Sequence, residues 1–467
     1  MLGPLACLII GIAAILFFIL YMRFHPFLAL IASALIITFS SDRIPMITVS
    51  ETGALIPQKI ATVTNGFGAL MANIGVLLIM AAIIGKCLMD SGAADRIVRA
   101  LRRVFGAGNE QYSLLSSSFL LAIPVFFDNV FYLLAPLARA VYARRKRDYV
   151  LLICAAGAGG AVTHALVPPT PGPIIVAATL NVSVGLTILV GIVASIVPVI
   201  AGGVWYAGYI NRRMTVIPQE VMGISQAEME AIAQKPDEEL PGLWFSLLPI
   251  LLPVLLVSFT TIVNLLYRNP TEPVPAIVTL ANVLGDKNVA FIGGAILSIA
   301  LLYRSHKDYH LTFRQLEPAI LSGAMIAFIT CAGGAYGAAL AAAGVGDTIK
   351  GLAESWNISY LVLAFFTAAL IRVAQGSATV AMVTTAGIIA SAIATTQLPY
   401  HPVYLVGVIG FGATTTSWMN DSGFWIVGQM AGLTEKETLK TWTAMLTIMA
   451  FVGFVWILLL AWLFPLV

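Results

Sequence analysis

From residue 149 to residue 211 the chain carries no Asp, Glu, Lys or Arg, and similarly bare stretches run over 60–85, 240–267, 318–346, 373–420 and 441–467. A helix needs about 20 mainly apolar residues to cross a bilayer core, so uncharged apolar stretches of this length read as membrane spans. Composition agrees: 59% of the 467 residues are hydrophobic and 10% charged, whereas a soluble domain carries about 25% charged residues. Backbone groups shielded from water have to pair within their own segment, which a helix achieves. The chain is therefore expected to be an all-α polytopic membrane protein with the lipid bilayer as its first partner. The apolar 1–21 segment has no basic leader and no small-residue cleavage site, so it reads as a retained first span.

Other classes fall away on the same numbers. A net charge of +3 without a basic–aromatic domain gives no footprint for nucleic acid. Cys7, Cys87, Cys154 and Cys331 lie far apart in apolar segments and read as small buried hydrophobes, not as a metal site or disulfide framework. No HExxH zinc motif, paired catalytic signature or GxxxxGK[ST] phosphate loop is present, so neither an enzyme nor direct ATP drive is expected. The Gly157–Gly160 run lies in an apolar helix and reads as close helix packing.

Of the 25 basic and 22 acidic side chains, all but three fall in clusters between the apolar stretches. The three are Asp128, Arg372 and Asp421. An ionisable group well inside a span costs about 2.5–3.5 kcal/mol on insertion scales, so each marks a functional site by default.

Basic clusters also orient the chain, because Lys and Arg in short loops stay on the cytoplasmic side. Two of them, Arg96/Arg99/Arg102/Arg103 and Arg144–Arg147, flank a single apolar stretch. Both lie inside if 112–143 is a re-entrant hairpin with its tip at 123–129, where Pro124 interrupts the helix. A broken span then covers 149–181, interrupted at 168–173, and a final span returns over 184–209. The polar stretch 210–242 becomes a cytoplasmic linker. With 243–266, 288–303 and 315–345 as the next spans, 18 Lys and Arg side chains lie inside and 5 outside, Lys86 at a span end and the intramembrane Arg372 being left uncounted.

Self-comparison adds an internal repeat. Gly85, Leu88, Gly92, Asp95 and Ile97 match Gly337, Leu340, Gly344, Asp347 and Ile349 at an offset of 252, and Gly159, Thr163 and Gly172 match Gly410, Thr414 and Gly423 at 251. Residues 1–209 and 243–467 thus read as two repeats of opposite topology, each with three spans, a re-entrant hairpin, a broken span and a final span. The second hairpin covers 359–397, with its tip at 372–379, and the second broken span covers 403–432. Inverted repeats with discontinuous helices around a midplane site are a secondary-transporter architecture. A channel does not require this symmetry.

The interrupted helices suggest a site for an organic anion. Half-helix N-termini attract a carboxylate. Gly172, Gly376 and Gly423 permit close backbone approach, while Asn129, Thr163, Thr170, Gln375, Ser377, Thr379, Asn420 and Ser422 offer neutral hydrogen bonds to a polyhydroxylated substrate. Arg372 is either a bidentate partner for the carboxylate or a structural partner of Asp128 or Asp421. Asp128, Asp421 and His164, the only histidine deep in an apolar stretch, are the candidate proton carriers. Asp128 and Asn129 at the first hairpin tip complete the candidate substrate-binding set.

Four motifs, Ile-Pro-Val-Phe-Phe-Asp (123–128), Val-Pro-Pro-Thr-Pro-Gly-Pro (167–173), Ile-Arg-Val-Ala-Gln-Gly-Ser-Ala-Thr-Val-Ala (371–381) and Asn-Asp-Ser-Gly-Phe-Trp-Ile-Val (420–427), resemble the gluconate permease (GntP) family. The likeness runs from about residue 66 to the C-terminus and places the chain within the ion transporter superfamily. It implies a proton-coupled symporter in the inner (cytoplasmic) membrane, importing gluconate or a related sugar acid by alternating access. It also implies D-serine or a small hydroxy-acid as alternative substrates. A competing reading of the same residues is a sodium-coupled carboxylate carrier, with the ion held by Asn129, Ser377 and tip carbonyls. No cofactor beyond the ion gradient is implied. Carriers of this architecture are often homodimers. Thr170 stands where many members have His, and Asn129 where a Val or small residue is common.

Overall fold

The computed structural model describes residues 2–48, 55–214, 216, 240–267, 275–355, 358–394 and 396–466. The apolar stretches fold as helices. In the first half these are α1 (Pro4–Leu16), α2 (Pro26–Ser40), α3 (Lys59–Asp90), α4 (Ala93–Phe105), α5 (Glu110–Leu121), α6 (Phe127–Arg145), α7 (Tyr149–Leu166), α8 (Pro171–Thr179), α9 (Val184–Ile200) and α10 (Ala207–Arg213). A short antiparallel ribbon of β1 (Met46–Thr48) and β2 (Leu55–Pro57) is the exception to the all-helical expectation. The second half holds α11 (Leu243–Leu266), α12 (Ala276–Leu284), α13 (Lys287–His306), α14 (Tyr309–Ala342) and α15 (Val345–Ser355). It continues with α16 (Tyr360–Gln375), α17 (Ala378–Ile393), α18 (Val403–Thr414), α19 (Ser422–Ala431), α20 (Glu435–Thr438) and α21 (Ala444–Leu463).

Among the described residues, seven helical segments are long and apolar enough to cross a membrane: α3, α7–α8, α9–α10, α11, α13, α14 and α20–α21. The protein is a multi-pass helical membrane protein. Helices α1, α2, α16, α17 and α18 are apolar but shorter. Most of the expected linker, 215 and 217–239, lies outside the described residues.

Four interruptions shape the interior, and local chemistry accounts for the first three. Between α5 and α6 the chain turns at 122–126 around Pro124. Pro168, Pro169 and Pro171 supply no N–H to a helical ladder, so α7 stops at Leu166 and α8 restarts with Pro171 in its first turn. Gly376 ends α16 in the left-handed conformation, φ 83°. Residues 415–421 separate α18 from α19, a longer gap than the one after α7.

Packing repeats between the halves. Helix α5 packs on α7 and α16 on α18, so each hairpin lies against the broken span that follows it. A glycine seats each contact: a Cβ on Gly159 would meet the Leu115 carbonyl oxygen at 2.3 Å, and one on Gly412 would meet that of Phe365 at 2.5 Å. The second segments then cross over, α8 onto α17 and α19 onto α6. Helices α3 and α14 run along each other beside this core.

Candidate functional site

The crossover brings hairpin tips and broken span around one cavity of about 700 Å³. Three helix N-termini reach it: α6 through Phe126 to Asn129, α17 through Ser377 to Thr379, and α19 through Ser422 and Gly423. Each contributes unpaired N–H groups and a partial positive charge. Ser377 caps α17 by accepting from the Val380 amide at 3.4 Å, and Asp421 caps α19 by accepting from that of Gly423 at 3.2 Å. The α6 terminus has no side-chain cap.

Arg372 reaches the cavity from the last turn of α16, where a cation also suits the helix dipole. It is 4% exposed. Its Nη2 donates to Asp421 Oδ2, while Nε and Nη1 are buried with no partner among the described residues. Ser417 Oγ donates to the same carboxylate oxygen, and Trp442 Nε1 donates to Ser417 Oγ at 2.7 Å. The indole stacks on Phe127, ring centroids 5.1 Å apart, so the chain of contacts that begins at Arg372 ends beside Asp128. Trp442 lies in a π-helical turn, Leu439–Thr443, of the kind that often marks functional positions.

The two cavity aspartates differ. Both Asp421 oxygens are engaged, in the cap and in the bonds from Arg372 and Ser417. Asp128 also lines the cavity, close enough to Asp421 for their charges to interact, and has no hydrogen-bond partner among the described residues. His164 also lines the cavity, its ring edge-on to Phe126 and its Nδ1 buried with no partner among the described residues.

The remaining candidates separate into two groups. Asn129, Gln375, Gly376, Ser377, Thr379, Asn420, Ser422 and Gly423 line the cavity. Besides Ser377, which caps α17, two of these are partly committed: Asn420 Nδ2 donates to the Val373 carbonyl at 2.9 Å and so caps α16, and Gln375 Nε2 donates to that of Ser377 at 3.1 Å. Gln375 Oε1 is buried with no partner among the described residues. Thr163, Thr170 and Gly172 do not line the cavity. Thr163 is fully buried, its hydroxyl bonded back to the Gly159 carbonyl at 2.9 Å; that of Thr170 closes its own turn onto Val167 at 2.8 Å. Gly172 packs against Met382 on α17. The first broken span lines the cavity through Ala161, His164 and Ala165 but not at its break, whereas the second lines it at the break itself, through Asn420 and Asp421.

Sequence reasoning missed Thr414, Ser417, Ser322 and Trp442. Thr414 is the repeat partner of Thr163, but the repeat does not distinguish which copy faces the cavity. Ser417 and Trp442 carry no charge, and each resembles an ordinary residue of an apolar segment.

Comparison with known proteins agrees with this architecture. Residues 3–463 match the sequence profile of the GntP family permease. The chain is 33% identical over 457 residues to a gluconate permease of Pseudomonas aeruginosa, covering 97% of this chain and 96% of that one. It is 29% identical to the Gnt-II system L-idonate transporter of Escherichia coli, over 97% of this chain and 98% of the relative. The high-affinity gluconate transporter of the same organism is also 29% identical, over 98% and 99%. In fold it is similar to the Alcanivorax borkumensis YdaH transporter, with a TM-score of 0.64 at 14% identity, covering 95% of this chain and 100% of that one. The chain belongs to the GntP permease family.

Proposed function

We propose that the protein is a secondary transporter that imports gluconate or a closely related hydroxy-carboxylate with protons across the cytoplasmic membrane. The carrying observation is the Arg372 guanidinium, held at one nitrogen by Asp421 beside a cavity on which three helix N-termini converge. That arrangement suits a carboxylate, and the neutral rim of Asn129, Ser377, Thr379 and Ser422 suits a hydroxylated chain. The cavity volume, about 700 Å³, lies within the usual range of small-molecule sites. The names of the relatives, gluconate permeases and an L-idonate transporter, support the same substrate class.

In this reading, Asp128 carries the coupling proton. Ionised, it would place a second negative charge near Asp421 and the incoming carboxylate; protonated, it removes that repulsion and can donate a hydrogen bond. Loading substrate and proton together then follows from electrostatics. The halves 1–209 and 243–467, of opposite topology with basic loops inside, would rock about the two hairpin tips to give alternating access.

The test is uptake of labelled gluconate into proteoliposomes under an imposed pH gradient, with and without sodium. Concentrative uptake that follows the pH gradient is expected. Accumulation that ignores pH and follows sodium would replace the proton with sodium, and flux that never exceeds equilibrium would indicate a channel.

A further inference from the structure

A second recess, remote from the cavity, lies where α4 meets the open end of the first hairpin. It has a volume of about 70 Å³, and Val98, Leu114, Leu137 and Val141 supply its apolar wall. Arg99 and Arg102 of α4 and Arg144 of α6 supply three guanidinium groups. Two carboxylates also border it. Glu110 is paired with Arg145 at 2.5 Å, and Asp95 has a partner of its own. Arg102 and Arg144 are exposed and have no side-chain partner among the described residues, which leaves the recess net positive.

Position narrows the ligand. The spanning helix α3 ends at Asp90 and the next span, α7, begins at Tyr149, so α4 and the hairpin base sit at a membrane–water boundary. Helix α4 buries Ala93, Ala94, Ile97 and Val98 against the protein while Val104 is 77% exposed. A free phosphate would satisfy the guanidiniums and leave the apolar wall wet. An amphiphile matches both surfaces.

We propose that this recess binds the headgroup of an anionic phospholipid, with the phosphate between Arg102 and Arg144 beside the apolar wall of Val98, Leu114 and Val141 and the rest of the lipid outside the recess. The bound lipid would tie α4 to the hairpin base, which the Glu110–Arg145 pair already closes, and so steady the element whose tip carries Asp128. The inference is independent of what the cavity transports.

The experiment titrates the full-length protein, purified in a neutral detergent, with short-chain phosphatidylglycerol, phosphatidylcholine or inorganic phosphate, reading thermal stability and, by native mass spectrometry, the number of lipids retained. Phosphatidylglycerol should raise the melting temperature where phosphatidylcholine does not, and R102Q/R144Q should weaken its apparent affinity by about tenfold or more. R102K/R144K should retain most of the response, and K436Q/K440Q, whose side chains do not line the recess, all of it. An equal phosphatidylglycerol response in R102Q/R144Q and the native protein overturns the site. An equal shift from inorganic phosphate alone overturns the lipid assignment. Should R102Q/R144Q aggregate, lipid retention by single R102Q and R144Q variants decides on the same terms.

Discussion

Asp421 holds Arg372 and starts a helix with the same carboxylate: one oxygen caps α19 through the Gly423 amide, and the other accepts from Arg372 across 49 positions of sequence. The buried guanidinium of the second hairpin is thereby fixed to the opening of the second broken span. At the far end of α19, Arg139 Nη1 and Tyr149 Oη donate to the Met430 and Ala431 carbonyls, so both ends of this short helix are held. A half-helix anchored in this way can keep its N-terminus aimed at the cavity.

Replacing Asp421 with Asn separates the two roles. Asparagine still caps a helix, but Arg372 would be left charged, buried and unpaired. Removing one member of a buried pair costs about 3–5 kcal/mol, and the side chains here are 5% and 13% exposed. A lower melting temperature in detergent, together with lost gluconate binding by calorimetry, is the expected outcome. Native stability and affinity in Asp421→Asn would mean that the pair does not position Arg372.

Trp442 and Ser417 should matter through position and not through contact with substrate charge. Trp442→Phe retains an aromatic ring to stack on Phe127 but loses the N–H that reaches Ser417, while Ser417→Ala removes the donor to Asp421. A hydrogen bond to a charged group contributes about 1.5–3 kcal/mol and one between neutral groups about 0.5–1.5 kcal/mol, so Ser417→Ala should lower the melting temperature and weaken substrate affinity more than Trp442→Phe does. Transport kinetics over a substrate series measure this as a raised KM. The double variant should fall short of the summed single effects, because both act on one chain of bonds.

The parts of this site that were legible in sequence were those that violate the rules of an apolar segment. Charges at 128, 372 and 421 stand out because hydrocarbon penalises them, and Pro124, Pro168, Pro169 and Gly376 stand out because helices exclude them or end on them. Which interruption opens on the cavity was not legible. Thr163 and Thr414 occupy matched positions, and only the packing of the crossing helices buries one and exposes the other to the cavity. The Ser417–Trp442 link was invisible for a related reason: a tryptophan near the end of an apolar helix has the same signature whether it anchors at the interface or reaches inward.

Gly376 admits no side chain. Its φ of 83° costs an L-residue about 1–2 kcal/mol, and an added Cβ would lie 2.1 Å from the Asn420 carbonyl oxygen, backbone that cannot swing aside. Gly376→Ala should force the hairpin tip away from the break and abolish uptake while the protein still reaches the membrane. Gly351→Ala, where a Cβ would meet nothing within 4 Å, should transport normally. Uptake by cells with matched membrane expression tests the contrast.

Asp128 gives the sharpest separation of coupling from binding. It lines the cavity without a hydrogen-bond partner among the described residues, whereas Asp421 is engaged at both oxygens, so protonating Asp128 breaks no bond and protonating Asp421 disrupts three. Asparagine mimics the protonated acid in size and neutrality. Asp128→Asn should therefore still bind gluconate and exchange it between two sides of a membrane, yet fail to accumulate it when a pH gradient is imposed. Counterflow in proteoliposomes measures exchange, and gradient-driven uptake in the same vesicles measures coupling. Gradient-driven accumulation at the native level in Asp128→Asn would exclude this carboxylate as the proton carrier and turn attention to His164, whose Nδ1 is buried on the cavity wall with no partner among the described residues.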